Sequence, residues 1–200
     1  GVYLTDGVHK GGPGVFGLVL TGALMFALLS VSNLASLPLG EWMDAHKVPV
    51  RFSEGLIGFL VVFLFFILMR LTPLAGIHAA EHQVVHALER NEPLTPAAVR
   101  RMPRVHPRCG TNIGAAAILF GSVFGLEWVD SMEVRLMVAL ILTLFFWRPF
   151  GEFVQHFFTT KPANEAQIRG AITSAEALIE ANRRSPHVRP NAFQRLWSSG

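Results

Sequence analysis

The sequence predicts an all-α integral membrane protein with about four transmembrane helices and a cytoplasmic amphipathic helix. Three observations carry this prediction. Apolar residues make up 51% of the chain and charged residues only 16%, where soluble domains carry about 25% charged residues. Long charge-free runs recur along the sequence. Lys and Arg are divided very unequally between the segments that connect those runs. A single cysteine among 200 residues excludes an internal disulfide framework and any zinc site built from cysteines alone.

The first span is Val15–Leu37, 23 positions without a charge, against the roughly 20 residues that cross a hydrocarbon core. It is too long for the apolar part of a signal peptide and has no small-residue cleavage site, so it reads as a retained helix. The second, Gly55–Met69, is shorter and dense in Phe, Leu and Val. Arg70 either snorkels at its end, or the helix runs on and kinks at Pro73. Ile113–Leu126 is the third, with the Gly and Ala content of helices that pack closely in lipid. Leu136–Trp147 is the fourth, with 12 uncharged residues between Arg135 and Arg148. Beyond it, Ala166, Ile168, Ala171, Ile172, Ala175, Leu178 and Ile179 recur at helical spacing between charges, which predicts an amphipathic helix over 164–182. The tail from Arg183 is loosely held, with Phe193, Leu196 and Trp197 available to a bilayer surface.

With four spans, one side of the membrane receives 14 of the 17 Lys and Arg residues and the other receives 3. The positive-inside rule places both termini and the central connection in the cytoplasm. The chain therefore divides into a membrane domain, 1–160, carrying a cytoplasmic connection at 70–112, and a cytoplasmic helix and tail, 161–200. The expected location is the bacterial cytoplasmic membrane. The net charge of +3 serves topology and anionic headgroups. No aromatic–basic interleaving of the kind that stacks bases is present, so the expected partners are the lipid bilayer and other membrane-protein subunits, not nucleic acid.

Chemistry concentrates in the central connection: five of the eight histidines fall between His46 and His106, and four of these lie within 70–112. His78-Ala79-Ala80-Glu81-His82 is the inverted zincin pattern H-x-x-E-H. Helical residues four apart differ by about 40° around the axis and about 6 Å along it, so His78 and His82 can grip one ion. Zinc acidifies a bound water and the carboxylate of Glu81 takes the proton. His86 lies about 12 Å from His78 along the axis, which leaves the third ligand to another segment. The competing reading is an interfacial helix face that carries three histidines. His106 and Cys109, three apart in a Pro/Gly turn, form a second donor pair; alternatively Cys109 is a nucleophile or a buried structural thiol, with Arg108 facing lipid phosphate. Thr95-Pro96 starts a short helix that Pro103 ends. Glu152 and His156 form a third pair, Glu152 either as the distant ligand of an inverted zincin or in an ion pair with Arg148. Paired E-x-x-H motifs, phosphate loops and Ser-His-Asp signatures are missing.

GIHAAEH, VHPRCGT, then Gln155 followed by TTKP at 159–162, resemble the YqhQ-like bacterial membrane family, a predicted metal-dependent enzyme family of unknown function. The likeness runs from about Leu71 to Leu178, with three motifs in the same order. Matching residues are His78, Glu81, His82, Glu89, His106, Arg108, Cys109, Gly110, Gln155 and Thr160. Ala79 stands where the family usually has Gly, and Gln83 where Lys is common. The stretch before the first span and the connection to the TTKP motif are shorter than the family's.

The first functional expectation is a membrane-embedded zinc hydrolase at the cytoplasmic boundary, acting on a peptide or lipid-linked substrate. His78 and His82 hold the metal, with a third ligand from His106, Cys109 or Glu152. Glu81 is the base, and Arg108 or Gln155 orients the substrate. The second is a non-catalytic subunit or scaffold with a structural His/Cys metal. Haem binding is weaker, because axial histidines normally come from facing helices inside the bilayer.

Overall fold

The computed structural model describes residues 4–5, 9–12, 14–126 and 129–184. The described residues form two strands of two residues, β1 (Leu4–Thr5) and β2 (Lys10–Gly11), and seven α-helices. These are α1 (Gly14–Ala45), α2 (Val50–Leu71), α3 (Leu74–Glu89), α4 (Pro96–Arg101), α5 (Gly110–Gly125), α6 (Met132–Val154) and α7 (Glu165–Arg184), with a π-helical turn over Gln155–Thr159 between the last two. Three helical stretches are long and apolar enough to cross a membrane: Gly14–Ala45, Phe52–Leu71 and Met132–Thr159. Gly110–Gly125 is apolar but only 16 residues long. The described residues are therefore all-α apart from one antiparallel pair of two-residue strands.

Differences from the sequence reading have local causes. The helix predicted over Leu136–Trp147 begins at Met132, where Ser131 Oγ accepts the Val134 N–H, and continues through Pro149. Arg135 and Arg148 lie within it instead of marking its ends. The apolar α6 is thus among the long helices, and α5 is the short one. Long apolar helices tolerate an internal proline, such as Pro38 in α1 and Pro149 in α6, because neighbouring helices and side chains can re-satisfy the freed carbonyl. At Pro73 the chain does break: α2 ends at Leu71 and α3 begins at Leu74. The residues Phe193, Leu196 and Trp197 lie outside the described residues.

The chain separates into two compact units, one from Gly1–Gly22, Gly76–Pro103 and Pro162–Gly200, the other from Ala23–Ala75 and Arg104–Lys161. One boundary, Lys161/Pro162, falls beside the division drawn at 160, but most of the central connection joins the C-terminal segment in the first unit.

The first unit has an ordinary interior. Ala80, Val84 and Ala87 of α3 share one face, as do Ile168, Ala171, Ile172 and Ala175 of α7, and both sets join Val99, Met102 and Leu4 in one buried core. The α7 charges stay outside, with Glu165 bonded to Arg169 and Glu180 to Arg184; across the core, Arg100 pairs with Glu165. A reciprocal capping box starts α7: Asn164 N–H donates to Gln167 Oε1 and Gln167 N–H to Asn164 Oδ1, both at 2.9 Å, satisfying two backbone donors near the helix start. β2 crosses α7 so closely that a Cβ on Gly11 would strike the Ser174 carbonyl. The Thr95 side chain caps α4 by accepting from Ala98 N–H at 3.3 Å, and the helix stops before Pro103, as the sequence predicts. Gln83, buried on α3, donates its amide to the carbonyls of Arg100 and Met102 at 3.1 and 3.0 Å, tying α3 to the last turn of α4.

The second unit is patterned the other way. Phe59, Leu140, Leu144 and Phe145 stand exposed on its helices, while Ser32, Ser36, Asn112, Gln155 and Thr160 are buried. Apolar side chains turned outward over whole helices would be an aggregation hazard in water, and they are the normal exterior in lipid. α5 and α6 pack along each other, and a Cβ on Gly151 would fall onto the Asn112 side chain. Phe158 of the π-helical turn meets Phe63 and Phe66 of α2 at 6.2 and 5.7 Å between ring centroids.

Candidate functional site

The candidate residues divide between the units. In the first, α3 carries His78, Glu81, His82, His86 and Glu89. Its core face turns Ala80, Val84 and Ala87 inward, and the 3.6-residue period then brings His78 and His82 together on another face. Their rings lie 4.3 Å apart at 61°. His82 is buried and His78 half-buried. Glu81 is half-buried, and burial pushes its carboxyl upward from the ordinary value, with the neighbouring His78 acting in the opposite direction. Desolvation of the charged form is the cause. A carboxyl held nearer neutrality is suited to proton transfer. One turn on, His86 Nδ1 lies 3.7 Å from Glu89 Oε2. Thus one helix presents two converging imidazoles, a desolvated carboxyl beside them, and a separate His–Glu pair.

In the second unit, the 106–109 turn is held from below by a chain of amides. Gln155 is fully buried; its Oε1 accepts the His106 N–H at 2.9 Å and its Nε2 donates to Asn112 Oδ1 at 2.7 Å. Asn112 in turn donates to the Pro107 carbonyl at 2.7 Å. Both ends of the Gln155 amide are thereby bonded to protein, which makes it a residue that shapes the turn. His106 is buried, and its Nδ1 accepts the Arg108 N–H at 3.2 Å. A neutral ring that accepts at Nδ1 carries its proton on Nε2. Cys109 is half-buried and caps α5: its sulfur accepts the Thr111 N–H at 3.4 Å. This seats the sulfur at the positive end of the α5 dipole. The Arg108 side chain is exposed.

Glu152 and His156 are both exposed. A π-helical turn begins at Gln155, after Glu152 and just before His156: Thr160 N–H bonds the Gln155 carbonyl, an i to i+5 bond of 2.9 Å. Glu152 forms no ion pair with Arg148 among the described residues; the Arg148 guanidinium lies over the Trp147 ring at 5.2 Å.

A family described as "Protein of unknown function (DUF1385)" matches residues 12–148, more than half of the chain. The chain belongs to this family. The match includes His78, Glu81, His82, His106, Arg108 and Cys109 and stops short of Gln155 and Thr160, and it accords with the family likeness read from the motifs. No curated protein and no solved structure matches the chain.

Sequence reasoning missed Asn112, the hub between Pro107 and Gln155. Its signal was a lone amide near the start of an apolar helix, since polar side chains in such helices usually have a bonding role. It also missed the TTKP segment as structural. Thr160 is buried and bonds the Gln155 carbonyl through Oγ1 at 2.7 Å.

Proposed function

We propose that this protein is a zinc-dependent hydrolase of the bacterial cytoplasmic membrane, acting at the cytoplasmic boundary on a peptide or lipid-linked substrate. The observation that carries the reading is the pair of imidazoles on α3, 4.3 Å apart, with the desolvated Glu81 carboxyl between them in sequence. The donor set fits zinc, which takes imidazole nitrogen and thiolate sulfur readily. His78 and His82 would hold the ion. Of the third ligands that the sequence offers, His106, Cys109 and Glu152, Cys109 is preferred because it supplies the thiolate that zinc takes readily. Bound zinc would acidify a coordinated water. Glu81 would be the group that takes up a proton and delivers it to the leaving group, Arg108 would meet a negatively charged part of the substrate, and Gln155 positions the 106–109 turn. In the same reading α5 is the fourth span: its 16 residues rise about 24 Å, short of a full core and within reach when its flanks thin the bilayer. Both termini then lie in the cytoplasm, by the distribution of Lys and Arg.

The test is cobalt substitution in the purified, metal-depleted full chain. The parent should bind one equivalent with the visible absorption of tetrahedral cobalt and a sulfur-to-metal charge-transfer band. Cys109→Ser should remove that band, and His78→Ala/His82→Ala should abolish binding. Azide should shift the spectrum, because three protein ligands leave an exchangeable position. A spectrum indifferent to azide would identify a closed structural site and favour the scaffold reading. Cobalt bound equally by the double variant would end the metal reading. With peptide and lipid-ester substrates, Glu81→Gln should keep the metal and lower turnover about 10²- to 10⁴-fold.

A further inference from the structure

We infer that Arg70 and Lys161 form a binding site for the phosphate headgroup of an anionic phospholipid, placed at the end of α2. The inference concerns the second unit alone and does not depend on the metal reading.

Each cation is held by the other's segment. Arg70 Nη1 donates to the Thr160 carbonyl at 2.7 Å and to the His156 carbonyl at 3.4 Å. Lys161 Nζ donates to the carbonyls of Arg70 and Leu71 at 3.1 and 3.4 Å, and its backbone N–H bonds the Ala75 carbonyl at 3.1 Å. The carbonyls that receive Lys161 are among the last four of α2, which have no partner within the helix. These bonds fix the positions of both cations but neutralise neither, because a carbonyl carries no net charge. Among the described residues neither side chain has a carboxylate partner; the ion pairs all involve other residues.

Donor capacity remains after these bonds. A guanidinium has five N–H donors and an ammonium three. Arg70 keeps Nη2 and Nε for an acceptor, and Lys161 keeps one N–H. Both residues are half-buried, which limits competition from water. A phosphate diester presents two anionic oxygens and matches this set of donors; guanidinium in particular binds phosphate with paired bonds.

The surroundings indicate a lipid. Arg70 ends the apolar run of α2, a helix long enough to cross a membrane. Phe63 and Phe66 of that helix meet Phe158, the first edge-on and the second tilted, and Phe157, one residue earlier, is exposed. An acyl chain can lie along this apolar wall while its headgroup meets the two cations. The fixed turn that presents Lys161, with Thr160 and Gln155 buried beneath it, separates this arrangement from a pair of mobile surface bases.

The experiment is native mass spectrometry of the full chain after exchange into nanodiscs containing equal parts phosphatidylglycerol and phosphatidylcholine. The parent should retain phosphatidylglycerol in preference to phosphatidylcholine, and the retention should fall as salt rises. Lys161→Gln should lower phosphatidylglycerol occupancy about fivefold, the effect of one basic residue at an anionic surface, and Arg70→Gln by a comparable factor. Arg70→Lys should keep most of the occupancy, and Thr160→Val, which loosens the turn without changing charge, should lower it less than Lys161→Gln does. Equal retention of the two lipids, or unchanged retention in Lys161→Gln, would overturn the inference. So would full displacement by millimolar inorganic phosphate, which would reassign the cations to a free anion. A Thr160→Val loss as large as that of Lys161→Gln would likewise overturn it, by showing that the turn and not the charge governs retention.

Discussion

Apolar side chains sit inside the unit built on α3, α4 and α7, and outside the unit built on α2, α5 and α6. In the first, Ile168, Val84 and Val99 are buried while Arg169, Glu180 and Arg184 face outward. In the second, Gln155, Asn112 and Thr160 are buried while Leu144 and Phe145 are 72% and 75% exposed. The contrast shows that two different forces hold one chain. Water expels the interior of the first unit. Lipid gives apolar helices no comparable reason to associate, so the second is specified by close packing of small residues and by buried hydrogen bonds. The candidate chemistry is distributed accordingly: the His-rich helix belongs to the water-driven unit, and the turn with His106 and Cys109 to the hydrogen-bonded one.

The comparison can be broken at three places. Ile168→Ala removes a fully buried side chain and should destabilise the purified chain by about 2–5 kcal/mol, the range for large-to-small changes in a packed core, read as a fall in the thermal midpoint. Gln155→Leu deprives the His106 N–H and Asn112 Oδ1 of their partners. It should cost about 1–3 kcal/mol, as an unsatisfied buried group does, and increase proteolysis near Pro107. A Gln155→Leu protein as stable as the parent would refute the view that hydrogen bonds specify the second unit. Leu144→Ala, on the exposed side of α6, should shift stability by less than about 0.5 kcal/mol. A loss equal to that of Ile168→Ala would mean that this face packs against protein and not lipid.

Much of the fold was legible because its signals are local. Charge-free runs mark α1, α2 and α6, and the spacing of Ile168, Ala171, Ile172 and Ala175 marks the buried face of α7. Thr95 and Pro96 announce α4, since a cap and a first-turn proline act within one turn of helix. The end of α6 was misread because charges at Arg135 and Arg148 resemble span ends. A helix can carry both when its backbone bonds continue regardless of what the side chains meet. The pairing of His78 with His82 was legible from the helical period alone.

The sequence by itself therefore determined which segments are helical, which are apolar enough to enter a membrane, and that His78, Glu81 and His82 would share one short stretch of helix. Each of these follows from neighbours within about two turns. Only the tertiary structure decided that Gln155 supports His106 from 49 positions away and Asn112 from 43, that Arg70 and Lys161 hold each other's segments, and that Glu152 turns outward. Such pairings depend on how helices pack, and for Lys161 also on the one-residue shift made by the π-helical turn that precedes it. A shift of that size changes the direction of the side chains after it, and no local pattern of residue types records it.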